Sequence, residues 1–103
     1  MLYDEIKQLN GATIKNNKIV NYKTGYQVAV NSKEKTFKRL GNVLRYIQKN
    51  SLKNIGLWND SGIWYLDSNS IRVSTKKEAI KLGKENNQIG IWDWKKNQTV
   101  YIN

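Results

Sequence analysis

Lys33, Lys35, Lys38, Arg39, Arg45, Lys49 and Lys53 crowd into one short segment, and Glu34 is the single acid among them. The chemistry open to such a run is electrostatic, because ammonium and guanidinium groups in series can follow the phosphates of a nucleic acid and release its condensed counterions. Lys38, Asn42, Arg45 and Lys49 recur at steps of three or four, opposite the apolar Leu40, Val43, Leu44 and Ile47 on a helix. Lys35, Lys38, Arg39, Arg45, Lys49 and Lys53 are therefore the candidate nucleic-acid contacts. The competing reading is a solvated helix face that serves solubility. A second basic run, Lys77, Lys81 and Lys84, has Glu78 and Glu85 beside it and reads first as ordinary surface.

The four tryptophans add a second kind of chemistry. Along a strand, Ile89, Ile91 and Asp93 point one way while Gly90, Trp92 and Trp94 point the other. If the isoleucines pack under helices, Trp92 and Trp94 lie on the second sheet face, where indole rings stack on unpaired bases or anchor a protein partner. Trp58, Trp92 and Trp94 are the candidate partner-binding aromatics. The alternative is that Trp58, Trp64 and Trp92 fill a core or second layer.

Other chemistries lack their parts. Without Cys there is no disulfide, thiolate metal site or thiol nucleophile, and without His the commonest general base and metal ligand are gone. Asp60, Asp67, Glu78, Glu85 and Asp93 fall in no recognisable two-carboxylate or metal-cluster spacing, and turn and cap roles account for them. Glycine phosphate loops, nucleophile elbows and zinc-finger spacings are likewise missing. The chain is expected to be no enzyme, with no catalytic residue, no metal site and no cofactor.

These residues need elements to position them. Leu2, Ile6 and Leu9 at helical spacing predict a short first helix that Gly11 ends in the left-handed conformation. Ala12–Lys15, Lys18–Lys23 and Tyr26–Asn31 are β-prone and separated by Asn16-Asn17 and Thr24-Gly25, which predicts a three-stranded meander. Phe37, Leu40, Val43, Leu44 and Ile47 predict a helix over 36–50. Ile55–Asn59 and Ile63–Asp67 flank Asp60-Ser61-Gly62 as a hairpin, and Ser70–Ser74 reads as a strand. Thr75 and Glu78 match a capping box for a third helix running to Asn86 or Asn87. Gln88–Trp94 and Thr99–Ile102 close the chain as a second hairpin. Ile55-Gly56-Leu57-Trp58 and Ile89-Gly90-Ile91-Trp92 each follow a helix, so a βαββ pseudo-repeat is a candidate organisation.

The sequence has 103 residues, the usual size of a single domain, and its 39% hydrophobic content supports one core. The expected class is α+β over residues 1–103, a mainly antiparallel sheet packed by two or three helices, with Leu40, Leu44, Ile47, Leu82, Ile89 and Ile91 inside. A formal charge of +10 favours polyanionic partners. No apolar run reaches the length of a membrane span, and Asp4 and Glu5 stand where a signal peptide would be cationic, so the expected address is the cytoplasm.

Two segments carry a resemblance. Gly11-Ala12-Thr13-Ile14 through Tyr22-Lys23-Thr24-Gly25-Tyr26-Gln27-Val28, and Thr75-Lys76-Lys77-Glu78-Ala79 through Asn87-Gln88-Ile89-Gly90-Ile91-Trp92-Asp93-Trp94, resemble small accessory proteins of phages and plasmids of low-GC Gram-positive bacteria. The resemblance implies a bacterial host cell and either an anti-CRISPR inhibitor or a DNA- or RNA-binding maintenance protein, and it assigns no residue a role. Acidic DNA mimicry, common among anti-CRISPR proteins, does not suit so basic a chain. The implied partner is nucleic acid or a ribonucleoprotein such as a CRISPR effector, and no membrane. A protein-binding adaptor is the third reading.

Overall fold

Asn16 and Asn17 both take left-handed backbone angles, φ 50° and 65°, which folds β1 (Gly11–Lys15) back on β2 (Lys18–Val20) as a tight antiparallel hairpin. The structure is a computed structural model and describes residues 2–102. Ahead of the hairpin, α1 (Leu2–Leu9) ends at Asn10, whose φ of 63° supplies the left-handed turn expected of Gly11. Gly11 answers a different need: a Cβ there would lie 2.7 Å from the Leu57 carbonyl oxygen, so the close approach of β1 to its neighbour excludes a side chain.

That neighbour is β5 (Asn54–Asp60), antiparallel to β1 with Ile14 opposite Ile55. Ser61 and Gly62, at φ 54° and 85°, turn β5 into β6 (Ile63–Asp67), and β4 (Glu34–Phe37) pairs with the free side of β6. The result is a five-stranded antiparallel sheet in the order β2-β1-β5-β6-β4. Together α1 and α2 (Leu40–Lys49) bury Ile6, Leu40, Val43 and Ile47 with Ile14, Ile55, Leu57, Trp64 and Leu66 of the sheet. The helix expected over 36–50 begins only at Leu40. Thr36 and Phe37 pair instead with Tyr65 and Trp64, since a β-branched and an aromatic side chain fit a pleated surface once a partner strand is present. Lys38 and Arg39 therefore lie off the helix.

A second sheet forms around β3 (Tyr26–Ala29), which pairs on one side with β7 (Ser70–Val73) and on the other with β8 (Gly90–Asp93); β9 (Gln98–Tyr101) completes the order β7-β3-β8-β9. The expected meander is thus corrected: β1 and β2 form a hairpin, and β3 joins different partners, where Val28 packs with Val73, Ala79 and Ile91. On this sheet α3 (Lys76–Glu85) starts at Thr75, whose Oγ1 accepts from the Glu78 N–H at 3.3 Å, the threonine half of the capping box read in the sequence. Of the expected core, Leu40, Ile47 and Ile91 are buried, and Leu44 and Leu82 pack partly buried against the clusters. Ile89 is not in the core. It precedes the strand, its carbonyl accepts from the Ile102 N–H, and its side chain is 68% exposed.

The chain accordingly forms two compact units, one comprising the residues as far as Val20 with Lys33–Asn69, the other Asn21–Ser32 with Ser70 onward. Each holds the same series, two paired strands, a helix and a hairpin: β1-β2-α2-β5-β6 in the first and β3-β7-α3-β8-β9 in the second, with α1 and β4 as additions to the first. In both sheets the strand after the helix pairs with the first strand of the series, and Leu57 and Ile91 point inward while Trp58 and Trp92 point outward. The α+β class and antiparallel pairing are those read from the sequence. Among the described residues no helix is long and apolar enough to cross a membrane.

Candidate nucleic-acid interface

All six candidate phosphate contacts are exposed and lie around α2 in the first unit. Lys35, on the edge strand β4, has its Nζ 4.8 Å from the centre of the Tyr46 ring, a cation–π contact. Lys38 and Arg39 form the link into α2, with Arg39 in an extended conformation at the N-cap and making no side-chain cap bond. Arg45 and Lys49 stand one turn apart on the helix, and Arg45 Nη2 donates to Asn42 Oδ1. Lys53 follows the helix, and its carbonyl accepts from the Asn16 N–H at 2.8 Å. The stripe expected along one helix face is thus shortened to Asn42, Arg45 and Lys49, with Lys38 contributed from the link before it.

The aromatic candidates divide. On the outer face of the first sheet Trp58 stacks on Tyr65, with centroids 4.3 Å apart and planes 11° from parallel, and Trp58 stays 44% exposed. Its other cross-strand neighbour is Gly11, so that flank carries no side chain. The pair makes a flat platform of the kind on which an unpaired base stacks. Trp64, on the opposite face of the same sheet, is buried in the core. Trp92 faces outward from β8 and is 36% exposed. Trp94 is a correction to the sequence reading, because it is only 7% exposed: its Nε1 donates to Gln27 Oε1 at 3.0 Å and its amide to the Gly25 carbonyl. A buried indole needs an acceptor, and Gln27 of the neighbouring strand provides one.

Pairing also assembles a row that the sequence does not show. Arg72 lies opposite Gln27, Gln27 opposite Trp92, and Trp92 opposite Thr99, so the four share one face across β7, β3, β8 and β9. Arg72 is held in place, donating from Nε to the Thr24 carbonyl at 3.0 Å and from Nη2 to Thr24 Oγ1 at 3.2 Å, with its guanidinium 5.1 Å from the centre of the Tyr22 ring. Tyr22 in turn meets Trp94 edge-on at 5.4 Å, and Trp94 meets Trp92 edge-on at 6.4 Å. Gly25 allows this arrangement, since a Cβ there would fall 2.8 Å from the guanidinium. Two strand spacings, roughly 10 Å, separate the backbones of Arg72 and Trp92, with the buried Gln27 between them.

The carboxylates behave differently from the expectation at one point. Asp93 accepts from the amides of Lys95 and Lys96 at 3.0 and 3.2 Å, the turn role read in the sequence, while Glu78 enters the α3 cap through its backbone N–H. Asp67 is instead a strand residue facing Glu34 across β4 and β6; burial first, and the neighbouring Glu34 charge second, raise its pKa to about 6. Among the described residues no group of three or more acidic side chains could hold a metal ion.

Sequence reasoning missed Tyr65, Arg72 and Tyr22. The outward position of Tyr65 follows from hairpin register opposite Trp58, a signal that was there to use. Arg72 gave none, because its partner Thr24 lies 48 residues away along the chain. In comparisons with protein-family models, curated proteins and solved structures, the chain matches nothing.

Proposed function

We propose that this protein works without catalysis, as a binder of nucleic acid, either free or within a ribonucleoprotein. The observation that carries the reading is the distribution of charge. Ten Lys and Arg face five Asp and Glu in the first unit and eight face three in the second, so each carries a net +5. An excess shared so evenly is a property of the whole surface, and like-charge repulsion opposes folding. Arg45, Arg72 and Lys35 spend their contacts on uncharged partners, Asn42, Thr24 and Tyr46, which leaves the positive charge uncancelled. Trp58 on its platform and Trp92, on the same sheet face as Arg72, add stacking surfaces that suit unpaired bases.

The resemblance to accessory proteins of mobile elements supports a more specific form of this function: inhibition, in the bacterial cytoplasm, of a host defence system that targets nucleic acid, with a CRISPR ribonucleoprotein as the target. The deciding measurement is affinity for duplex DNA, single-stranded DNA and RNA across a salt series. Binding that weakens linearly in log affinity against log salt is expected. Failure to bind any of the three at about 50 mM salt rejects the reading and moves the protein-binding adaptor ahead. Loss of interference in cells that express the chain beside an active CRISPR system separates the inhibitor from a maintenance protein, which binds nucleic acid and leaves interference intact.

A further inference from the structure

A polar cleft of about 690 Å³ opens in the second unit between the start of α3, the chain entering β3, and the turn that joins β8 to β9. Its volume is that of a small-ligand site. Three cations line it: Lys76, the first residue of α3, and Lys95 and Lys96 from the turn. They come from segments 19 and 20 residues apart in sequence, and nothing in their local structure requires them to meet.

Asp93 is the one acid in the lining, and its carboxylate is already engaged. The side chain is 6% exposed, and its Oδ1 accepts from both the Lys95 and the Lys96 amide. Those bonds, with Asn97 left-handed at φ 51°, fix the backbone of the turn and so the points from which both lysines project. Counting Asp93 against the three lysines leaves a net charge of +2 around the cleft. Ser74 and Tyr26, which both carry hydroxyls, belong to the same lining. Lysine ammonium groups act as compact point charges with three donors each, and they bind phosphate oxygens in that way.

We propose that this cleft binds a phosphomonoester: the terminal phosphate of a nucleic-acid strand or of a free nucleotide. A phosphomonoester carries nearly two negative charges at neutral pH and an internal phosphodiester only one, so a site of charge +2 favours the end of a strand over its interior. The strand-end form rests on the nucleic-acid binding proposed above, while the nucleotide form does not.

The test uses one single-stranded oligonucleotide sequence with phosphate at the 5′ end, at the 3′ end or at neither, and adenosine monophosphate titrated separately while backbone amide NMR signals are followed. One phosphorylated form is expected to bind at least about tenfold tighter than the unphosphorylated strand, equivalent to one hydrogen bond to a charged group. Lys95→Gln with Lys96→Gln should erase that preference and leave affinity for the unphosphorylated strand nearly unchanged, at an unaltered melting temperature. Lys76→Gln, on a different element, is expected to reduce the same preference and serves if the double variant fails to fold. Nucleotide shifts confined to the cleft, without an end preference, assign the ligand to a free nucleotide; an end preference without nucleotide binding assigns it to the strand end. Neither effect, or equal losses for all three strands in the variants, overturns the site. A wild type that binds no strand but shifts at the cleft with the nucleotide rejects the nucleic-acid function and keeps the site.

Discussion

Asp67 faces Glu34 across β4 and β6, and burial holds its proton to about pH 6 in the folded state against 3.8 for the ordinary side chain. Because the folded chain binds that proton more tightly than the unfolded one, the associated stability is fully present below about pH 4 and is lost as pH rises through about 6. Asp67→Asn keeps the shape and removes the titration. It should stabilise the protein by ~1–3 kcal/mol at pH 7 relative to wild type and by little at pH 4, read from denaturant midpoints. An equal effect at both pH values rejects the assignment. Trp94 makes a second prediction at this scale. Trp94→Phe keeps an aromatic ring but leaves Gln27 Oε1 buried without its donor, which should cost about 1–3 kcal/mol. Trp58→Ala should cost less stability, because that ring is 44% exposed, and should instead weaken single-strand binding by ~1–3 kcal/mol. A Trp58→Ala protein that binds single strands as the wild type does removes the platform from the interface.

The elements turn on residues that accept left-handed backbone. Asn10, Asn16, Asn17, Asn31, Asn87 and Asn97 all have positive φ, so much of the asparagine in this chain serves turns and helix ends. At Gly11 no such tolerance suffices. Gly11→Ala places a methyl group against the Leu57 carbonyl and the Trp58 backbone, and destabilisation of at least ~1–3 kcal/mol is expected, measured by thermal unfolding. On α2 and the link before it, Lys38, Arg45 and Lys49 are exposed, so replacing all three with Gln should change stability by no more than about 0.5 kcal/mol. If they contact phosphates, the same triple variant should flatten the slope of log affinity against log salt by up to about three units for duplex DNA. Identical slopes for variant and wild type would place the phosphate contacts elsewhere, and Arg72 becomes the next position to test.

At the scale of the whole molecule the two units are interleaved along the chain. The strand central to the second sheet, β3, comes from residues before the first unit is complete, and Lys33–Asn69 is inserted between two strands that pair directly, Ala29 lying opposite Ser70. A peptide of residues 70–103 therefore lacks the strand on which both β7 and β8 depend, and it should show little helix or sheet by circular dichroism. Fusing residues 21–32 directly to 70–103 closes β3 on β7 through the short Val30-Asn31-Ser32 loop and should recover α3 helicity. Equal helicity in the two peptides would mean that β3 is dispensable to the second unit.

How far the sequence reached depends on the range of the interaction concerned. The Thr75 cap, the Asp60–Gly62 turn, the amphipathic run from Leu40 to Ile47 and the β8–β9 hairpin are local arrangements, held by residues within a few positions of one another, and their spacing announces them. The positive charge is equally legible, being a sum over the chain that folding cannot alter. Thr36 and Phe37 read as helix because Phe37 fits the apolar period, yet β6 offered a ladder of hydrogen bonds that a local pattern does not contain. The same limit hid β3's change of sheet, the Trp94–Gln27 bond over 67 residues and the seat of Arg72 on Thr24 and Tyr22. Which tryptophan faces water was likewise a tertiary matter: alternation sorts Trp92 and Trp94 to one side of a strand, but burial depends on what the rest of the unit lays over that side.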